Sequence, residues 1–79
     1  MEFDNQVVVM PVGARIVHVE AQHGVPCMWA EVDVDAQINK RQVLIVNTGF
    51  VIPNGYRYVG TFMLLGGDYV GHIYENEMI

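Results

Sequence analysis

Apolar residues occur along the chain in short runs that glycine and proline interrupt. Runs of roughly five to nine residues rich in Val, Ile, Tyr and Phe are typical of short strands joined by turns. The pattern predicts six strands, near residues 5–10, 14–22, 26–33, 41–48, 56–65 and 68–75. The best helical candidate, residues 34–40, amounts to about one turn and is predicted to be a loop. We therefore expect a single all-β domain over residues 1–79, with little or no helix.

The second and third predicted strands alternate between apolar and polar residues, as half-buried strands do. The intervening HGVP turn, residues 23–26, allows them to pair as an antiparallel hairpin. The face predicted to be covered carries Val17, Val19 and Ala21 from the second strand. The opposite face of the third strand carries Trp29 and Glu31 and is predicted to point outward.

Two other segments, QVLIVN (residues 42–47) and YVGTFMLL (residues 58–65), are apolar on both faces of a strand, so both faces need cover. A six-stranded antiparallel barrel or sandwich would supply part of it, and a second copy the rest. We expect both, which makes the chain a homodimer. The predicted dimer-interface residues are Val43, Ile45, Tyr56, Tyr58, Phe62 and Tyr74. The alternative is that the aromatic residues fill the core.

The high hydrophobic content of this small chain also favours a surface that binds another protein. Hydrophobic residues make up 52% of the 79 residues and charged residues 16%, whereas a domain near this size buries only about 60% of the surface of its unfolded chain. Nine acids stand against four bases, for a net charge of −5. So few bases argue against direct nucleic-acid binding. An acidic surface attracts basic proteins, or it merely keeps a small domain soluble.

The chain has one cysteine, Cys27, so no disulfide can form within it and a reducing cytoplasm is the expected compartment. The N-terminal residues include two acids and no basic segment, and their apolar run covers only residues 7–10. An ordinary signal peptide or a membrane span is therefore not expected.

No motif in the sequence predicts catalysis or metal binding. The candidate metal ligands, His18, His23, His72 and Cys27, match no zinc spacing. Residues 33–41 begin like a calcium loop but lack its glycine and its final acid. The chain has no serine, and its glycine-bearing segments lack the strand-to-helix context of a phosphate loop. We predict no catalytic residues, no metal, no cofactor and no enzymatic activity.

Four segments carry a resemblance to a known group of proteins: residues 10–33 (MPVGARIVHVEAQHGVPCMWAEVD), 47–55 (NTGFVIPNG), 58–67 (YVGTFMLLGG) and 72–75 (HIYE). They resemble a family of very short proteins frequent in phage and prophage genomes. Many members of that family carry histidine where this chain has Phe50, so no role of that histidine carries over.

The chain is also similar to anti-CRISPR proteins directed at type I systems, some of which are small β-rich dimers. The resemblance implies a phage-encoded, stoichiometric inhibitor in the host cytoplasm. Such an inhibitor would bind a basic surface of the type I CRISPR surveillance complex and block target DNA binding.

A face that binds a basic partner needs exposed acids and an anchor. The candidate residues are Glu20, Trp29, Glu31, Asp33, Asp35 and Glu75. The alternative for these acids is that they are solvated strand residues that discourage sheet extension.

Two other functions stay open. The chain could bind a nucleotide second messenger in a pocket between subunits, which would need Arg15, Arg41 and Arg57 to converge across a dimer. It could also be a minor structural or regulatory protein of a phage.

Overall fold

The computed structural model describes the backbone of residues 3–49 and 51–78 and the side chains of residues 5–49 and 51–76. Within these residues the chain forms six antiparallel strands and one short 3-10 turn, Leu65–Gly67. The strands are β1 (Phe3–Pro11), β2 (Arg15–Gln22), β3 (Val25–Glu31), β4 (Ile38–Asn47), β5 (Arg57–Leu64) and β6 (Tyr69–Met78). The prediction of an all-β fold is confirmed. Phe50 lies outside the described residues, and none of the helical segments described is long and apolar enough to cross a membrane.

The strands are divided between two sheets. Strands β1, β4, β6 and β5 form the larger sheet in that order, and β2 and β3 form a separate hairpin. A closed barrel would require the edge strands β1 and β5 to pair with each other, and the described residues show no such pairing. The fold is therefore open, with a two-stranded sheet beside a four-stranded one.

The turn of the β2–β3 hairpin follows the sequence prediction. His23 and Gly24 both have positive φ, 51° and 77°, as the two central residues of a type I′ turn require. The prediction that Val17 lies on the covered face with Val19 and Ala21 was wrong. A bulge between Ile16 and His18 shifts the register of the hairpin. The bulge places Ile16 opposite Ala30 and leaves Val17 51% exposed, because an inserted residue reverses the alternation beyond it.

The hairpin covers one face of the larger sheet. Val43, Phe62 and Ile73 form the buried cluster of that face, and Val19 and Met28 of the hairpin pack against it. The two layers approach closely where β2 meets β5. There a side chain on Gly60 would place its Cβ 2.7 Å from Cγ2 of Val19.

The hairpin buries part of the surface that was predicted to form the dimer interface. Val43 and Phe62 are 2% and 4% exposed inside a single chain, so the chain's own hairpin supplies the cover expected from a second copy. On the opposite face Tyr58 and Tyr74 meet edge to face, with ring centroids 5.6 Å apart. Tyr58 is 54% exposed, and the homodimer remains a prediction.

Candidate functional site

The outward side of the β2–β3 hairpin carries three of the six predicted partner-binding residues. Three adjoining cross-strand pairs lie along it, and we call this surface the hairpin face. The pairs are Glu20 with Cys27, His18 with Trp29, and Arg15 with Glu31. Residues paired directly across two strands share one side of the sheet. The structure therefore brings Glu20, Trp29 and Glu31 together, although eleven positions separate the first and last in the chain.

Trp29 occupies the middle of the hairpin face and is 39% exposed. Its ring lies against the ring of His18, with centroids 5.1 Å apart. The other side of His18 is held as well, since its Nε2 lies 2.8 Å from Oε1 of Glu20. These contacts orient the indole while leaving part of it open to a partner.

Both acids of the hairpin face have a basic neighbour on the same face. Arg15 donates from Nη2 to Oε1 of Glu31 at 2.6 Å, and the two side chains are 74% and 66% exposed. His18 and Glu20 are 55% and 61% exposed. An ion pair as exposed as Arg15–Glu31 contributes less than about 1 kcal/mol, and the His18–Glu20 hydrogen bond is open to water as well. A basic group of another protein can therefore replace Arg15 or His18 at little cost.

Asp33 and Asp35 follow the hairpin face in the loop between β3 and β4, and both are exposed. The backbone N–H of Asp35 donates to Oδ1 of Asp33 at 3.0 Å, and the N–H of Ala36 donates to the carbonyl of Asp33 at 3.0 Å. These bonds fix a local turn of the kind that aspartate favours. The two acids thus extend the negative charge beyond Glu31.

Glu75 was predicted to lie with these acids, and the structure places it elsewhere. It is 5% exposed on β6, where it faces the covered side of the sheet together with Ile73, two positions earlier. Its Oε1 accepts a hydrogen bond from Nη1 of Arg41 at 2.9 Å, and its Oε2 accepts one from Nη2 of Arg57 at 2.6 Å. A buried carboxylate needs such partners, so Glu75 does not belong to the exposed acidic surface.

Glu75 and its two arginine partners line a cleft of about 490 Å³, which we call the arginine cleft. Arg15, Arg41 and Arg57 line it from three different strands. Arg41 is 3% exposed and also donates to the carbonyl of Ala14 at 2.7 Å. These arginines were expected to converge only across a dimer, whereas one chain brings them together.

A signal for the cleft was present in the sequence. Arg41 stands two positions before Val43, and Glu75 two positions after Ile73, so each shares a strand face with a core residue. A charged residue on a core face needs a partner of opposite charge. Arg41 and Glu75 become partners because β4 and β6 lie side by side. The pattern within each strand does not predict that neighbourhood.

The remaining histidine lies on the opposite face of the larger sheet. Its ring nitrogens both contact hydroxyl groups: Nε2 of His72 lies 2.8 Å from Oγ1 of Thr48, and Nδ1 lies 2.9 Å from Oγ1 of Thr61. Among the described side chains, residues 5–49 and 51–76, no group of three His, Cys, Asp or Glu residues is placed to hold a metal ion. His72 on β6 thus connects Thr61 on β5 with Thr48 in the turn that follows β4.

Comparison with known proteins assigns the chain to a family. The family model described as a domain of unknown function, DUF7352, matches residues 2–78, so the chain belongs to that family. No curated protein and no solved structure matches the chain significantly.

Proposed function

For this member of the DUF7352 family, we propose a non-enzymatic function as a stoichiometric binding protein whose hairpin face docks on a basic surface of another protein. The observation that supports the proposal is the convergence of Glu20, Trp29 and Glu31 on one outward face of a two-stranded hairpin. Tryptophan is enriched among the residues that dominate binding energy. Acids around such an anchor attract a partner of opposite charge and fix its orientation.

The hairpin presents this face in a defined conformation before binding. Its inner side packs on the core cluster through Val19 and Met28, and its turn has the backbone geometry that a two-residue loop demands. A preformed surface loses little conformational entropy on binding. The face therefore fits an inhibitor that binds as a rigid body.

The partner that the sequence resemblance favours is a type I CRISPR surveillance complex in the cytoplasm of a phage-infected host. Such a complex must display basic residues to receive target DNA, because phosphate neutralisation dominates the affinity of proteins for DNA. A protein of net charge −5 with an exposed tryptophan can occupy such a surface. In this proposal the chain blocks target DNA binding by competing for those bases.

The proposal is tested with purified type I surveillance complexes and a labelled target duplex. Equimolar addition of the chain is expected to prevent duplex binding by its cognate complex in a gel-shift assay. Raising the salt concentration should weaken the contact between chain and complex, because screening shortens the range of exposed charges. Undiminished duplex binding at a large excess of the chain, across a panel of type I complexes, would exclude the CRISPR assignment.

Charge reversal locates the binding surface. The double variant Glu31→Lys/Asp33→Lys is expected to abolish the interaction, whereas Asp68→Lys, in the exposed turn between β5 and β6, should reduce it only slightly. Trp29→Ala should weaken it by about 2 kcal/mol or more if Trp29 is an anchor. Equal losses in the hairpin variants and in Asp68→Lys would show that net charge, and not the hairpin face, controls binding.

A further inference from the structure

The arginine cleft concentrates positive charge in an otherwise acidic protein. Three of the four basic residues of the chain line it, although the net charge of the whole chain is −5. Among the described lining residues, Glu75 is the one acid beside three arginines. The cleft is separate from the hairpin face, with which it shares only Arg15.

Glu75 holds two of the guanidinium groups in place. It accepts from Arg41 with one carboxylate oxygen and from Arg57 with the other. Arg41 is further fixed by the carbonyl of Ala14. Arg57, in contrast, keeps 74% of its side chain exposed. Glu75 is therefore a positioning residue that orients the charge of Arg57 at the cleft.

Arg15 supplies an adjustable charge at the rim. Its side chain is 74% exposed, and its pair with Glu31 is an exposed one. Since exposed pairs are weak, an anion in the cleft can draw Arg15 away from Glu31 at small cost. Planar guanidinium groups present paired donors that match phosphate oxygens better than an ammonium group does.

The other lining residues leave room for an anion and provide a further donor. Gly13 and Gly55 have φ of 80° and 93°, and they line the cleft without side chains. Asn76 adds an amide. None of the described lining residues is aromatic, so these residues offer no stacking surface for a nucleobase.

We propose that the arginine cleft of a single chain binds a small soluble anion that carries a phosphate or pyrophosphate group, through the guanidinium groups of Arg15 and Arg57 oriented by Glu75. The cleft volume of about 490 Å³ is within the range of small-ligand sites. The ligand is recognised by its phosphate groups, and its organic part is not selected.

Isothermal titration at low ionic strength tests the proposal with inorganic pyrophosphate, and then with ADP, GDP and CDP. We expect saturable binding of one pyrophosphate per chain and similar affinities for the three nucleotides. Arg57→Gln and Arg15→Gln should each weaken pyrophosphate binding about tenfold, the effect of losing one charge-assisted contact. Arg15→Gln should keep the melting temperature of the parent protein, because its pair with Glu31 is exposed. Arg57→Gln should stay folded with a slightly lower melting temperature, because the buried Glu75 keeps its hydrogen bond from Arg41.

Lys40→Gln is the matched control, because it removes the same charge from an exposed residue that does not line the cleft. It should bind pyrophosphate as the parent does. Glu31→Gln should bind it up to about fivefold more tightly, since it releases Arg15 from its exposed pair.

Three results would overturn the proposal. The first is the absence of saturable binding at millimolar pyrophosphate, and the second is an equal loss in Lys40→Gln and Arg57→Gln. The third is a preference of more than tenfold for one nucleotide base. None of these measurements involves a protein partner, so their outcome is independent of the function proposed for the hairpin face.

Discussion

Glu75 and Glu31 make the same contact in two different environments. Each accepts a hydrogen bond from Nη2 of an arginine at 2.6 Å, Glu75 from Arg57 and Glu31 from Arg15. The side chain of Glu75 is 6% exposed and that of Glu31 is 66% exposed. The contact distance is thus equal, and the access of water differs by an order of magnitude.

This difference decides what each pair contributes. Around Glu31 water solvates both charges whether or not they meet, so the pair is weak and exchangeable. Around Glu75 the second arginine, Arg41, is buried at 3% exposure and loses the carboxylate contact at 2.9 Å if Glu75 is replaced. A buried charge without compensation is costly. One pair therefore stabilises the fold, and the other is available for recognition.

The largest expected effect comes from Glu75→Gln. The change keeps the shape of the side chain but leaves Arg41 and Arg57 facing each other with no carboxylate between them. We expect a loss of roughly 3–5 kcal/mol in the free energy of unfolding, measured by urea denaturation at neutral pH. For a domain this small such a loss approaches the whole stability.

Glu31→Gln is the control for that experiment, because it makes the same chemical change at the same contact distance. If the two variants lose equal stability, burial does not separate the two pairs and the comparison fails.

An intermediate effect is expected from Gly71→Ala. A methyl group there would enter the space of the Phe62 ring, which is 4% exposed in the core cluster. Overpacking of this kind costs about 1–3 kcal/mol. Thermal unfolding followed by circular dichroism measures the loss.

Gly60→Ala tests the same kind of overpacking at the contact between the two sheets. Its methyl group would meet Val19 of the hairpin, a side chain that is only partly buried. Because the hairpin forms its own sheet, it can shift away from β5, and we expect a smaller loss than for Gly71→Ala. A larger loss would show that the hairpin is held as rigidly as the core of the four-stranded sheet.

The smallest effect is expected from Glu31→Gln itself, less than about 1 kcal/mol in the free energy of unfolding. The denaturation midpoint of Glu31→Gln should lie close to that of the parent protein. The double variant Glu31→Lys/Asp33→Lys, in contrast, is expected to lose the proposed partner contact. A large destabilisation by Glu31→Gln would mean that the hairpin face is a structural element and not a surface reserved for binding.

The local pattern predicted much of this molecule. All six strands occur where the apolar runs indicated them, with ends displaced by up to three residues. The two largest displacements, three residues each, are at the start of β4 and at the end of β6. Strand β4 begins at Ile38 because it pairs there with Pro11 of β1, and β6 continues to Met78 because it pairs there with Lys40 of β4. Strand ends depend on the neighbouring strand, which an isolated run of residues does not contain.

Some residues of the candidate site were placed correctly from the sequence and others were not. Trp29 and Glu31 lie on one outward face because alternation along β3 requires it, and Glu20 joins them because the tight turn fixes the register of the hairpin. Val17 was misplaced by a bulge that no residue type announces. Glu75 was misplaced because it was grouped with the exposed acids, although it shares its strand face with Ile73.

The sequence by itself determined the strands, the hairpin and its outward residues, because periodicity and positive-φ turns act over a few neighbouring positions. Only the tertiary structure decided that Arg41 and Glu75, 34 positions apart, become buried partners, and that three arginines open onto one cleft. The strand order β1-β4-β6-β5 brings Arg41, Glu75 and Arg57 together, and the packing of the separate β2–β3 hairpin adds Arg15. That order depends on how the layers pack against one another, which local periodicity does not encode.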